Sequence, residues 1–448
     1  MRKKKFDIVL GIILLSYFMI LLDNSIVFTG TVKIAEDLGL NKLELSWVSN
    51  AYSLTFGGFL LLGGRIGDIF GRKKVFSIGL VIFGLGSLFV GLATNGLSII
   101  VARAFQGIGS AVLAPTTLAL LMDTYEGEAR TRAVAAYGAT AGIGASIGLV
   151  IGGIFASALS WRDGFFINVP IALLMLLLSA KYIKDNTSHQ GGKLDVIGAV
   201  TSIIGMVALV YSLVGESYQL VSFVLAVLFI GLFIFQEARV KQPMMPLRLY
   251  ADKERLGAYI ARFLFLGAML SMWFLTPQIM QTQLGFTPLQ AGIGFFPLTI
   301  VNFIVALQVA RLTAKYGNTK LLLVGIGTTM IGLIIMSFFT PQLGYWLGVA
   351  LPMLFMGFGQ GLTLSPLTVA GIANTRPEDS GAASGVVNMV HQIGGSVGMS
   401  FVVAISEQFA GEIRSYQVAM LLAAGLLFIA FLAVAGLIVP STRKSKVN

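Results

Sequence analysis

The length of the apolar runs constrains this chain more than any other feature. Fourteen stretches of about 19 to 29 residues alternate with short polar breaks, beginning near Phe6, Glu44, Val75, Leu97, Arg132, Phe165, Asp195, Gln219, Leu256, Pro288, Lys320, Gly344, Asp379 and Tyr416. Each is long enough to cross a hydrocarbon core of roughly 30 Å with some tilt. Backbone groups find no water there and must bond within a helix, whereas a barrel would need alternating strands of about ten residues. The sequence therefore predicts an all-α polytopic membrane protein. Composition agrees: of 448 residues 56% are hydrophobic and 11% charged, against about 25% charged in soluble domains. The first run is too long for a signal peptide and lacks a small-residue cleavage site, so it reads as a retained helix. With no cysteine and two histidines, disulfides, thiol chemistry and thiolate metal sites drop out, and no metal site is expected.

The placement of the basic residues matters more than the formal net charge of +11. On the side of the N-terminus lie 25 of the 31 Lys and Arg, 4 lie on the other side, and Arg103 and Arg262 fall inside runs. Both termini are therefore expected in the cytoplasm. The bases sit in short loops suited to anionic lipid headgroups, and nucleic acid is not an expected partner.

An internal repeat is visible. Phe105-Gln106-Gly107-Ile108-Gly109 leads to Ala114-Pro115-Thr116, and Phe358-Gly359-Gln360-Gly361 leads to Ser365-Pro366-Leu367-Thr368. Gly107 and Gly361 are 254 residues apart, and Gly71 and Gly317, in two polar breaks, 246. Six spans need about 190 residues, so the offset implies two six-helix bundles with an extra helix pair between them, the run from Asp195 to Glu237. The expected divisions are residues 1–190, 191–245 and 246–448. Such symmetry points to a secondary transporter with its site between the halves near the midplane.

Asp23 lies 17 residues past Phe6, about 25 Å along a helix. A charge there costs several kcal/mol unless paired or facing water, and a carboxyl can take up and release a proton as its surroundings change. The alternative is a permanently paired Asp bracing two helices. Arg103 shares that depth and is a plausible partner, either modulating the carboxyl or holding interhelical bonds. Gln106, Ser110 and Thr117 follow it at helical spacing, a polar stripe expected to face a cavity. Gly144, Gly148 and Gly152 recur every fourth residue, permitting close packing or a bendable helix, and Gly381, Gly385, Gly395 and Gly398 echo them later. Asn388, His391 and Gln392 form a second polar group, where His391 reads as a satisfied histidine or a second proton site. Arg262 is expected to snorkel to the cytoplasmic face. Tyr52, Trp273, Phe295 and Phe303 can stack a flat cation or simply pack. There is no phosphate loop, the nearest run being Gly191-Gly192-Lys193-Leu194, and no H-E-x-x-H. No cluster of nucleophile, base and metal ligand suggests an enzyme, and energy must come from a gradient or from the substrate.

Gly64-Arg65-Ile66-Gly67-Asp68-Ile69-Phe70-Gly71-Arg72-Lys73-Lys74 resembles the cytoplasmic loop signature of the major facilitator superfamily. An acid and bases at a tight glycine turn suit an ion-pair latch, with Gly64, Asp68, Gly71, Arg72 and Lys73 as the cytoplasmic gate. Leu22-Asp23 with Ile26-Val27, Arg103 with Gln106-Gly107, Trp161-Arg162 with Phe166-Ile167-Asn168-Val169-Pro170, and Gln281 with Leu284-Gly285 and Pro288 resemble motifs of its fourteen-span drug:proton antiporters. The resemblance implies the major facilitator fold and a monomeric multidrug efflux pump of the bacterial plasma membrane. It implies proton-driven export of lipophilic or cationic compounds with no cofactor, with Asp23 and Arg103 coupling the proton. Asn24, Tyr52, Gln106, Ser110, Trp273 and Gln281 would line the substrate cavity. Two positions depart from the pattern. Leu149 follows Gly148 where proline is usual, and Arg311-Leu312-Thr313-Ala314-Lys315-Tyr316-Gly317 lacks the acid, which suggests a latch in the first half only. A proton-coupled carrier for one physiological solute, such as a peptide, lipid or osmolyte, remains the alternative.

Overall fold

The computed structural model describes residues 2–184, 195–215, 217–240, 243–376 and 379–444. His189, the Gly191 to Leu194 run, Lys241, Lys446 and the division between residues 190 and 191 lie outside them. The described regular structure is helical: α1 (Arg2–Leu38), α2 (Lys42–Phe70), α3 (Arg72–Gly91), α4 (Gly96–Thr124), α5 (Gly127–Ala158), α6 (Trp161–Tyr182), α7 (Val196–Val214), α8 (Gln219–Arg239), α9 (Lys253–Leu284), α10 (Pro288–Tyr316), α11 (Asn318–Met336), α12 (Trp346–Gly371), α13 (Ser380–Ser406) and α14 (Glu412–Thr442). The helix boundaries follow local chemistry. Asn41 with Glu44, Asn95 with Ser98, Ser160 with Asp163 and Thr287 with Gln290 form capping boxes that satisfy the first free amides. Gly71 and Gly317 turn one helix into the next at φ of 93° and 82°, a region that favours glycine.

Twelve of these helices are long and apolar enough to cross a membrane, against the fourteen expected. The other two are α2, of 29 residues, and α5, of 32. The buried face of α2 carries Ser46, Ser49, Asn50, Ser53 and Thr55, which lowers its apolarity. The short apolar stretch found in α5 is Ser146–Ala158.

The helices form two halves with matching internal packing. In the first, α2 and α3 flank α4 and α1 pairs with α5; in the second, α10 and α11 flank α12 and α9 pairs with α13. The repeat glycines are the contact points. A Cβ on Gly107 would lie 2.4 Å from Tyr52 O on α2, and one on Gly361 would lie 2.9 Å from Asn302 O on α10. A Cβ on Gly109 would meet Phe83 of α3 and one on Gly359 would meet Gly325 of α11. Each glycine pair thus lets a central helix approach both neighbours. Helix α7 lies on α2 and α13, while α8 packs chiefly on α7.

The halves meet along α2 and α13, and again where α5 meets α10. Lys42 pairs with Glu407 at 3.0 Å, and buried Asn50 bonds Ser396 and Ser400, both at 2.8 Å. Leu289 N donates to Ser157 Oγ at 2.9 Å and Gln281 Nε2 to Thr29 O at 3.3 Å. Backbones nearly touch where a Cβ on Gly292 would lie 2.5 Å from Leu149 O and one on Gly153 2.7 Å from Leu289 Cα. Lys42, Ser157, Gln281 and Leu289 lie at the end of the bundle poor in Lys and Arg, so that end is closed in this structure.

Candidate functional site

Asp23 is fully buried inside the first half, and so are the groups that bind it. Its Oδ2 forms an ion pair with Arg103 Nη1. Its Oδ1 accepts from Gln106 Nε2 at 2.6 Å and from Asn168 Nδ2 at 3.3 Å. Arg103 also donates from Nη1 to Gln106 Oε1 at 2.8 Å and from Nε to Val48 O at 3.1 Å. Its guanidinium lies 4.1 Å from the Tyr52 ring centroid, and the Tyr52 hydroxyl meets Ser110 Oγ at 2.6 Å. Asn168 reaches Ser87 Oγ at 3.0 Å, and Ser87 donates to Phe165 O. A carboxylate can be retained at this depth because three side chains from α4 and α6 replace its water.

The backbone around it is drawn in by small residues. A Cβ on Gly144 would meet Leu21, one on Gly148 would meet Ser25 and one on Gly152 would meet Thr29 and Ile26, so α5 lies along α1 on both sides of Asp23. On α3, a Cβ on Gly86 would come within 2.6 Å of Gln106 Cα. The glycine stripe thus serves packing at the place where the acid is held.

The six expected cavity residues separate into two groups. Tyr52, Gln106 and Ser110 are fully buried and bond within the Asp23 cluster, so in this conformation they do not line an open cavity. Thr117 is likewise buried, donating to Ala114 O and meeting the Tyr137 hydroxyl. Asn24, Trp273 and Gln281 are half-buried. Trp273 stands between Phe28 and Phe295 at ring separations of 6.1 and 5.0 Å, and Gln281 bonds Thr29 across the halves. An apolar cavity of about 600 Å³ lies elsewhere, beside α10 and α12, lined by Phe286, Phe296, Tyr345 and Trp346 among others.

At the end rich in Lys and Arg, Arg72 pairs with Asp68 at 3.2 Å and with Asp123 at 2.5 Å, and donates to Ala119 O at 3.0 Å. Lys73 reaches Ala180 O, while Gly64 and Gly67 face Pro115 and Thr116. These described contacts tie α2, α3, α4 and α6 of one half together. In the second half Asn318, at the 246-residue offset from Arg72, donates to Pro366 O at 3.0 Å, a neutral substitute for the missing ion pair.

Several partners escaped the sequence reading. Asn168 stood in a quoted motif, but nothing in the sequence linked it to Asp23. Asp123 and Asp37 sit at helix ends, where acids are ordinary; Asp37 holds Arg162 in an ion pair and accepts from Trp161 Nε1 at 3.0 Å. Arg262 requires correction. Instead of snorkelling, it turns inward, 7% exposed, and meets His391 Nδ1 at 3.1 Å and Thr368 Oγ1 at 2.9 Å. Polar acceptors on two neighbouring helices draw it away from the interface.

Comparison with known proteins agrees with this architecture. The cephamycin export protein of Amycolatopsis lactamdurans is 34% identical over 403 residues, covering 87% of this chain and 83% of its own. A puromycin resistance protein of Streptomyces alboniger is 31% identical, covering 94% and 89%. Multidrug resistance protein 3 of Bacillus subtilis (strain 168) is 30% identical, covering 88% and 78%. Among solved structures, a POT family transporter in complex with a thioalcohol conjugated peptide superposes at a TM-score of 0.74 with 15% identity, covering 98% of this chain and 96% of its own. Residues 13–399 match the Major Facilitator Superfamily, and the chain belongs to that superfamily, a family of membrane transporters rather than enzymes.

Proposed function

We propose that this protein exports lipophilic and cationic compounds across the bacterial plasma membrane in exchange for protons, with no cofactor. Relatives named for antibiotic export and multidrug resistance support the drug-efflux part. The single observation that carries the proton part is Asp23, a carboxylate buried in the first half and satisfied wholly by side chains of other helices. Arg103 cannot lose its proton, so a proton arriving at Asp23 breaks the ion pair and leaves a cation in the protein. Cationic drug binds while Asp23 is charged and the cytoplasmic end is open. After the halves rock, protonation from outside weakens that binding and releases the drug. Asn24, Trp273 and Gln281 form the drug-facing surface between the halves, and the Asp68–Arg72–Asp123 latch keeps the first half rigid as it moves.

The same reading has fourteen spans, a monomer and both termini in the cytoplasm. Two helix pairs support the count. Helix α2 runs against α13 from Lys42 and Glu407 to Leu61 and Gly385, and α5 follows α1 from Leu21 to Thr29. Residues 1–190 and 246–448 act as the two moving bundles, with 191–245 peripheral.

The test is efflux from proteoliposomes with an imposed pH gradient. Wild-type protein should move cationic dyes of several shapes, and Asp23→Asn should not move them under the gradient. Gradient-driven efflux by Asp23→Asn at the wild-type rate rejects the assignment. Selectivity for one solute would favour a dedicated carrier.

A further inference from the structure

The second half holds a buried cation, Arg262, with no acid beside it among the described residues. Arg262 donates from Nη1 to Thr368 Oγ1 and, at 3.5 Å, to Leu364 O; Nη2 meets His391, and buried Nε has no partner. None of the ion pairs among the described residues includes Arg262. The first half meets the same difficulty with Asp23 beside Arg103. A guanidinium withdrawn from water without a counter-ion costs several kcal/mol, and inside a membrane protein such a charge marks a functional site by default.

The surroundings are polar and replaceable. Gln360, Leu364 and Thr368 recur along one face of α12; Thr368 is exposed, and Gln360 Oε1 is buried without a partner. On α13 His391 and Gln392 are half-buried and Asn388 is exposed. The acceptors now on Arg262 are a hydroxyl, a carbonyl and a ring nitrogen, each weaker for a guanidinium than a carboxylate.

We propose that Arg262, now held by Thr368 and His391, is a subsite for the carboxylate of an organic anion, which displaces these acceptors and supplies the missing counter-charge. This rests on reading the protein as an exporter of small organic compounds, and it extends the substrate range to acidic ones.

Fluorescein, a carboxylate, and rhodamine 6G, an esterified cation on the same ring frame, provide the test. Their dissociation constants are measured by fluorescence anisotropy with the full chain in lipid nanodiscs. Wild type should bind both. Arg262→Gln should weaken fluorescein about tenfold or more, the loss of a charge-assisted bond, and tighten rhodamine 6G, which Arg262 repels. Arg262→Lys should recover part of the fluorescein affinity. Equal losses of both dyes in Arg262→Gln make Arg262 a brace and overturn the proposal. Rhodamine 6G bound by wild type without fluorescein overturns it and leaves the export reading standing, whereas binding of neither dye overturns both. Should Arg262→Gln not fold, Thr368→Val decides. It removes a competing acceptor and should tighten fluorescein, and unchanged or weaker binding overturns the proposal.

Discussion

Asp23 and Arg103 could be found in the sequence because each is a charge deep within an apolar run, where few explanations exist. Their pairing follows from shared depth. The third donor, Asn168, was not legible: it lies 145 residues from Asp23, and one sequence carries no record of how α6 is rotated about its axis. Arg262 failed for the same reason, since Thr368 and His391 lie 106 and 129 residues away. Glycine was more readable, because a Gly in a helix interior is costly and needs a reason. Gly107 has one: Thr55 Oγ1 would lie 2.2 Å from an added Cβ, and that hydroxyl donates to Ala104 O at 2.8 Å. Gly107→Val should therefore separate α2 from α4 and cost about 1–3 kcal/mol as an overpacked site. Thermal unfolding in detergent measures this, and wild-type stability would show that the contact yields freely.

At the scale of elements, α5 and α10 form the seal at the closed end. The carbonyl of Leu149, at the position where the sequence departs from the expected proline, is what Gly292 approaches. Gly292→Leu should force these helices apart and favour the opposite conformation. The chain has no cysteine, so a Lys42→Cys, Glu407→Cys pair can be cross-linked cleanly. Cross-linking should fall several-fold in Gly292→Leu, and an unchanged yield would mean that α2 and α13 hold the end closed alone. The latch is a second element-scale device. Asp68→Asn leaves Arg72 paired with Asp123, so turnover should slow while equilibrium dye binding stays within about twofold; lost binding would contradict that role. Elements were legible where apolarity was continuous. Helix α2 is less apolar than the twelve candidate spans, because its buried face carries Ser46, Ser49, Asn50, Ser53 and Thr55.

Across the molecule, an ion pair fastens the segment before α9 to the start of α13. Arg248 grips Asp379 through Nε at 2.7 Å and Nη2 at 2.5 Å. The hydrogen bonds from Arg248 hold the Asp379 carboxyl below its ordinary value. A depressed folded-state value means that the pair stabilises the fold above the unfolded value of about 4 and that this is lost as pH falls through the folded one. Wild type should unfold at a higher temperature than Asp379→Asn at neutral pH, with the difference vanishing in acid; a difference that persists there contradicts the linkage.

The repeated glycines were readable because their spacing survives where side-chain partners do not. How the halves differ electrically was not. Among the described residues the first half pairs buried Arg103 with Asp23 and the second leaves buried Arg262 without an acid, and the first is proposed to carry the proton. Proton release on dye binding tests this most directly. In weakly buffered solution acid enough for Asp23 of the free protein to hold a proton, rhodamine 6G should drive protons from wild-type protein and none from Asp23→Asn. Release of equal size from Asp23→Asn, with dye still bound, would place the exchanging proton elsewhere.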